Sequence, residues 1–269
     1  MNNKIIDTFI FYNELEMLNY RLNYLYDYVD KFVLVEATLT HSGKNKELFY
    51  ENNKQMFEKY SDKIIHIILD DLPDINRTDD AWKRENFHRN GIERGIKQIE
   101  LEDNDIIIIS DLDEIPDRNI IKLLRNEKLQ NTVYALEQDM YYYNLTCKAG
   151  EKWYFAKLLS FNTYKLFQKK PQDIRMAHNT IAIKFGGWHF SYFGNVDFIQ
   201  NKIKHFAHQE YNDEKYYGKE NILKQIESCG DLFLRDNKNQ HNFQYCPIEN
   251  NNYLPENYTQ LTAFTNLLL

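Results

Sequence analysis

A doubly wound α/β sheet is the fold that this 269-residue sequence predicts. Three observations carry it: short apolar runs in the first half, stretches of helical period between them, and no Pro/Gly/Ser-rich linker dividing the chain. The first run, Ile5–Phe11, is too short to cross a bilayer and is followed by no small-residue cleavage site, so it reads as a buried strand. Leu15, Leu18, Leu22, Leu25 and Val29 then step by three and four, one face of a helix. Phe32–Ala37 and Ile64–Leu69 are the second and third strands, and Trp82–Ile99 the next helix. Ile106–Ser110 is apolar on both faces, as a central parallel strand is. Later, Val133–Leu136, Tyr141–Leu145, Leu158–Phe167 and Thr180–Phe185 read as strands, Val196–Phe206 and Asn221–Ile226 as helices. The expectation is a single compact domain over 1–269, its ligand-binding half ending near residue 130 and residues 131–269 completing the site.

Composition narrows the function classes. Lys+Arg 33 against Asp+Glu 40 leaves a net charge of −7, which argues against nucleic acid as a partner. With 43% apolar and 27% charged residues the chain is an ordinary globule, and no membrane span is expected. Aromatic content of 15% suits a core, an interface or a sugar site equally. The three cysteines, Cys147, Cys229 and Cys246, are too scattered for a zinc knuckle, and their odd number predicts reduced thiols and a cytoplasmic setting.

Chemistry concentrates in three places. The run from Ile106 to Pro116 ends an apolar strand in Asp111-x-Asp113. Ligands of open α/β sheets sit beyond such strand ends, and two carboxylates there can hold Mn²⁺ or Mg²⁺ against a diphosphate leaving group. A solvated acidic turn capping the helix near Arg118 is the plain alternative. The second place, Gly186 to Gly194, packs paired glycines, Trp188, His189 and three further aromatic rings into nine residues. Gly187 is expected to admit a ligand close to the backbone, Trp188 to stack on it, and His189 to meet a metal or phosphate. The third places Arg84 one helical turn from His88, with Arg89 beside it, as a clamp for phosphate oxygens or simply a solvated face. His205, His208 and Glu210 read as a polar helix end.

Together, Asn13-Glu14, Glu36 closing FVLVEA, Thr40-His-Ser-Gly43, Trp82 with Arg89, SDLDEIP and GGWHFSYFG resemble glycosyltransferase family 17, and the likeness runs to the Tyr253–Tyr258 segment. The resemblance implies a GT-A-type, metal-dependent, inverting transferase using a UDP-sugar, typically UDP-GlcNAc, on a glycan acceptor. It makes Asp111 and Asp113 the metal-binding pair, Asp113 the direct ligand, with His189 a further contact. Glu36 is then placed to meet the uridine and Asn13 to lie beside the nucleotide, while Trp82, Arg84 and Arg89 join the donor site. Family members from eukaryotes carry a membrane anchor and stem that this sequence does not show, which suggests a bacterial or viral enzyme. Inversion needs a carboxylate base; Asp197, where a helix begins, is the candidate, with Glu137, Asp139, Glu210 and Asp231 as rivals. Two alternatives stand beside this reading: a Mg²⁺-dependent phosphohydrolase of the HAD type, which also opens on a strand and Asp-x-Asp, and a non-catalytic sugar-binding module.

Overall fold

A computed structural model describes residues 2–73, 80–235, 241–263 and 265. The first half alternates as the apolar periods dictate: β1 (Ile5–Phe11), α1 (Leu15–Leu25), β2 (Lys31–Ala37), α2 (Phe49–Asn52), β3 (Ile64–Leu69), α3 (Asp80–Asn90), α4 (Ile92–Ile96) and β4 (Ile106–Asp111). The four strands are parallel in the order β3-β2-β1-β4. Right-handed crossovers therefore lay α1 on one face, and the return from β3 to β4 lays α3 and α4 on the other. The isoleucine run shows why both faces are apolar. Ile106 and Ile108 pack with Leu18 and Leu22 of α1, while Ile107 and Ile109 pack with Ile92 and Ile96 of α4. The predicted helix over 82–99 is thus two helices, broken at Gly91, whose N–H bonds back to Phe87 and His88.

The second half extends the same sheet. After β5 (Glu114–Pro116) and α5 (Arg118–Leu124) come β6 (Tyr134–Tyr142), β7 (Cys147–Trp153), β8 (Lys157–Ser160), α6 (Phe161–Phe167), α7 (Pro171–Arg175) and β9 (Ile181–Ser191). Then follow α8 (Val196–His205), α9 (Glu214–Tyr217), α10 (Lys219–Ser228), β10 (Phe243–Tyr245) and α11 (Thr259–Thr262). β8 joins β4 antiparallel, so this Rossmann-like parallel core passes directly into a mixed ten-stranded sheet. The two strands predicted over 133–136 and 141–145 are one strand, β6, whose middle residues Gln138 and Asp139 are buried with partners of their own. Leu158–Phe167 is a strand for its first residues only: Ser160 accepts from the Thr163 N–H and starts a helix.

One expectation is corrected here. Cys147 and Cys229 form a disulfide that ties β7 to the end of α10 across 82 residues, leaving Cys246 free, so the thiols are not all reduced. That bond sits in a third core, where Ile199 and Ile203 of α8 and Ile222 and Ile226 of α10 pack on Met140, Tyr142 and Tyr143. No helix among the described residues is long and apolar enough to cross a membrane.

Candidate active site

The carboxyl ends of β1, β2 and β4 open into a cavity of about 680 Å³. It lies where the crossovers reverse, at the β1/β4 switch point. α3 contributes Trp82, Glu85, Asn86 and Arg89, a stripe of helical spacing, and the second half closes the far side with α7, β9 and α8.

The two signature segments are neighbours in the sheet. β5 pairs antiparallel with β9, setting Glu114 opposite His189, Ile115 opposite Trp188 and Pro116 opposite Gly187. Close strand packing, not ligand contact, is what the paired glycines serve: a Cβ on Gly186 would lie 2.8 Å from Leu136 of β6, and Gly187 faces β5. Gly187 has φ +129°, and a Cβ there would lie 2.0 Å from the Ile115 carbonyl oxygen. Trp188 is likewise a core residue: its indole N–H donates to the Tyr253 carbonyl at 3.0 Å and its ring packs on Tyr253.

Asp111 ends β4 with its carboxylate held between two arginines. Arg89 reaches Oδ1 at 2.9 Å and Arg175 reaches Oδ2 at 2.7 Å. Arg175 also donates to both oxygens of buried Glu114, at 2.6 and 2.7 Å. Burial alone would raise the Asp111 pKa, but Arg175 and Arg89 outweigh it and hold it down at about 2. Asp113 is held differently. Lys202 of α8 donates to its Oδ2 at 3.0 Å, and the same ammonium lies 3.3 Å from Glu14. His189 Nε2 is 3.5 Å from Asp113 Oδ1. Against the cost of burial, Lys202 and His189 push Asp113 well below the usual carboxylate range, and Asp113 with Glu14 keeps Lys202 charged.

Beneath the Asp111–Glu114 turn lies a pair the sequence reading passed over. Arg21 of α1, fully buried, donates to both oxygens of Asp7 at 2.8 and 2.6 Å. Its remaining nitrogen donates to the carbonyls of Asp111, Leu112 and Glu114 at 2.7, 2.9 and 3.0 Å. Three carbonyls on one guanidinium fix the turn's path. The signal was present: an arginine on the apolar stripe of α1 and an aspartate inside the apolar run of β1.

Of the residues expected in the site, Asp111, Asp113, His189, Trp82 and Arg89 line the cavity. The others lie elsewhere. Glu36 is fully buried, accepting from the Tyr50 N–H at the start of α2 and pairing with Lys46 and His66. Arg84 donates to the carbonyls of Pro73 and His41 rather than into the cavity. Asn13 reaches Asn201 at 3.5 Å, outside the cavity lining. Asp197 has its side chain 74% exposed and pairs with Lys219 at 2.7 Å, in the first turn of α8, so it is not placed to act as a base in this cavity. Glu137, Asp139, Glu210 and Asp231 are also absent from the lining.

In their place the cavity gathers five histidines. His88 donates Nε2–H to the Val35 carbonyl at 2.9 Å, leaving Nδ1 to accept from His41 Nε2 at 3.1 Å. Burial lowers both pKa values and that of His205, keeping these rings neutral near pH 7. His205 and His208, read as a polar helix end, also face the cavity. Fixed charge is balanced: Glu14, Glu85, Asp111 and Asp113 oppose Lys46, Arg89, Arg175 and Lys202.

Among the described residues no three Asp, Glu, His or Cys side chains gather around one point. A hard divalent ion needs few protein ligands when phosphate oxygens and waters complete its shell. Asp113, held by one flexible ammonium with His189 at 3.5 Å, fits that role better than Asp111, whose two oxygens are both taken by arginines. His189 fits less well, because its Nδ1 is buried without a hydrogen-bond partner, whereas a ligating imidazole ordinarily donates from that nitrogen.

Comparisons with known proteins show the family. Residues 1–245 match the model of glycosyltransferase family 17. The β-1,4-mannosyl-glycoprotein 4-β-N-acetylglucosaminyltransferase of Rattus norvegicus is 29% identical over 126 residues, which are 45% of this chain and 23% of that protein. The enzyme of the same name from Homo sapiens is also 29% identical, over 45% of this chain and 24% of its own length. The match thus spans about a quarter of these relatives. Among solved structures, a mannosyltransferase from Pyrobaculum calidifontis, in complex with GDP-Man and Mn²⁺, aligns over 85% of this chain and 74% of its own, at TM-score 0.42 and 11% identity.

Proposed function

The chain belongs to glycosyltransferase family 17, and from that premise we propose that it moves a sugar from a UDP-sugar onto a glycan hydroxyl, with inversion and with the help of Mn²⁺ or Mg²⁺. GlcNAc is the proposed sugar, on the strength of the activity named for the relatives. Family membership sets aside the phosphohydrolase and the sugar-binding module.

The observation that carries the reading is the charge pattern at the β1/β4 switch point. Arg89 and Arg175 are fixed cations beside the Asp-x-Asp turn, and in this reading their charge attracts the oxygens of a diphosphate. The lining's four carboxylates and four cations already balance. A nucleoside diphosphate sugar brings about two negative charges at neutral pH, so a divalent cation entering with it restores the balance. Asp113 would hold that ion, with Asp111 behind it, and Lys202 would retreat toward Glu14. When bound, the ion supplies charge neutralisation for the departing diphosphate. The chain's own residues do the rest: Arg21 fixes the turn, and Trp82 offers an exposed ring at the cavity's edge on which a sugar can stack.

Tryptophan-fluorescence titration with UDP tests this, since Trp82 and Trp153 both line the cavity. The expected result is saturable UDP binding that tightens at least about tenfold with Mn²⁺, about 1.4 kcal/mol. Binding of equal strength with and without the ion would count against a metal-assisted site, and no binding under either condition would remove the donor assignment.

A further inference from the structure

The second half of the chain contributes no carboxylate to the cavity among the described residues; its proton acceptors there are His189, His205 and His208. Their partners, and those of His41 and His88, differ in what each ring can do. His88 uses both nitrogens on Val35 and His41, and His41 is tied to it. His189 faces Asp113. His205 donates Nδ1–H to the neutral Asn201 carbonyl, so no opposite charge would meet an arriving proton. His208 has the closest carboxylate of the five: Nδ1 lies 2.6 Å from Glu210 Oε1, against 3.5 Å between His189 and Asp113 and 3.9 Å between His41 and Glu85. A carboxylate only accepts, so Nδ1 carries the hydrogen and neutral Nε2 keeps a lone pair. The ring is set by aromatic packing, edge-on to Trp82 at 4.4 Å between centroids and flanked by Phe206 at 5.4 Å and Tyr211 at 5.8 Å. It is also half exposed.

We propose that His208 is the general base of the transfer, oriented and charge-compensated by Glu210, with Trp82 as the platform for the acceptor sugar. The assignment rests on the glycosyltransferase reading above. In the step, the acceptor hydroxyl gives its proton to Nε2 of His208 while its oxygen forms the bond to the anomeric carbon. The bond from that carbon to the diphosphate oxygen breaks, and its electron pair leaves on UDP. Glu210 stabilises the imidazolium, which then loses the proton to solvent. The arrangement is the histidine–carboxylate pair of hydrolytic triads put to a sugar hydroxyl.

The test uses the full chain with UDP-GlcNAc and Mn²⁺, following UDP release with water and with methyl glycosides of mannose, glucose, galactose and GlcNAc as nucleophiles. UDP affinity is measured alongside by calorimetry. His208→Gln is expected to lower kcat by about 10²-fold or more, the usual worth of a positioned base, with UDP affinity unchanged within twofold. Glu210→Gln, a surface change that spares the fold, is expected to give an intermediate loss in kcat, again with donor affinity kept. Turnover within threefold of the parent in His208→Gln would overturn the assignment and leave the transferase reading intact. Loss of UDP affinity in that variant would make His208 a donor-binding residue and overturn it as well. Should the parent chain release no UDP with any of these nucleophiles, the transferase reading fails, and the base falls with it.

Discussion

The two walls of the cavity are built on different terms. The wall built on the first half is saturated: Asp7, Arg21, Asp111, Arg89 and Glu114, joined by Arg175 of α7, form a continuous lattice in which every carboxylate oxygen accepts from an arginine. It rests on parallel strands at the centre of the sheet. Across the cavity, Lys202, His205 and His208 project from one helix and the loop after it, each with one or two polar contacts. That layer is fastened to the sheet by aliphatic packing and by the Cys147–Cys229 bond. The contrast teaches a division of labour. Under the proposed function, rigid charge on one side would suit a donor's diphosphate, and adjustable side chains on the other would suit an incoming glycan and an ion taking the place of a lysine.

The largest effect is expected where the walls meet. Asp113→Asn removes the carboxylate that faces Lys202 and is expected to cut transfer by about 10³-fold, the scale of losing a fixed electrostatic contact in the transition state. UDP release in the presence of Mn²⁺ measures it, and the melting temperature should move little. The saturated wall should respond in stability instead. Arg21→Met strands Asp7 in the core and leaves three carbonyls short of a donor, for an expected loss of about 3–5 kcal/mol in urea unfolding. Adding Asp7→Leu should recover part of it. If both substitutions left stability intact, the lattice would not be what holds this wall.

The opposite wall can be loosened without touching charge. Reducing the disulfide, or Cys147→Ser, is expected to cost about 2–4 kcal/mol, most of it in the α8–α10 layer. Thiol titration of the denatured chain should find one reactive cysteine before reduction and three after, in line with free Cys246. Acid separates the walls as well. Asp111 is depressed from 3.8 to about 2, so the stability it contributes is complete above pH 4 and is lost as pH falls through about 2. An acid titration followed by circular dichroism reads this directly. The smallest change is expected at Asp197→Asn: its pair with Lys219 is exposed and worth about 0–1 kcal/mol, and turnover should stay within twofold.

How much of this was legible follows the same division. The strands of the parallel core were readable because apolar residues dominate each of them despite short polar breaks such as Asp7-Thr8 and His66, and Ile5–Phe11 and Ile64–Leu69 match their strands residue for residue. β6 was not, because Glu137, Gln138 and Asp139 interrupt its apolar period while Ile115, Trp188, Lys148 and Lys152 supply their partners from distant positions. In the site, Asp111 and Asp113 were legible from a strand end. Arg175 was not, since nothing in its own segment marks it until α7 brings it to Asp111. Glu36 and Trp188 show the reverse: residues that look like ligand contacts in sequence serve a helix start and a core contact once folded.

The central claim is that Asp113 exchanges Lys202 for a divalent ion when the donor enters. Crystals grown with UDP and Mn²⁺ test it most directly, because manganese can be located by its anomalous scattering. The expected map places the ion about 2.1 Å from an Asp113 oxygen and in contact with the diphosphate, with the Lys202 ammonium moved off that carboxylate toward Glu14. UDP bound in the cavity with Lys202 still on Asp113 and no ion between them would contradict the account.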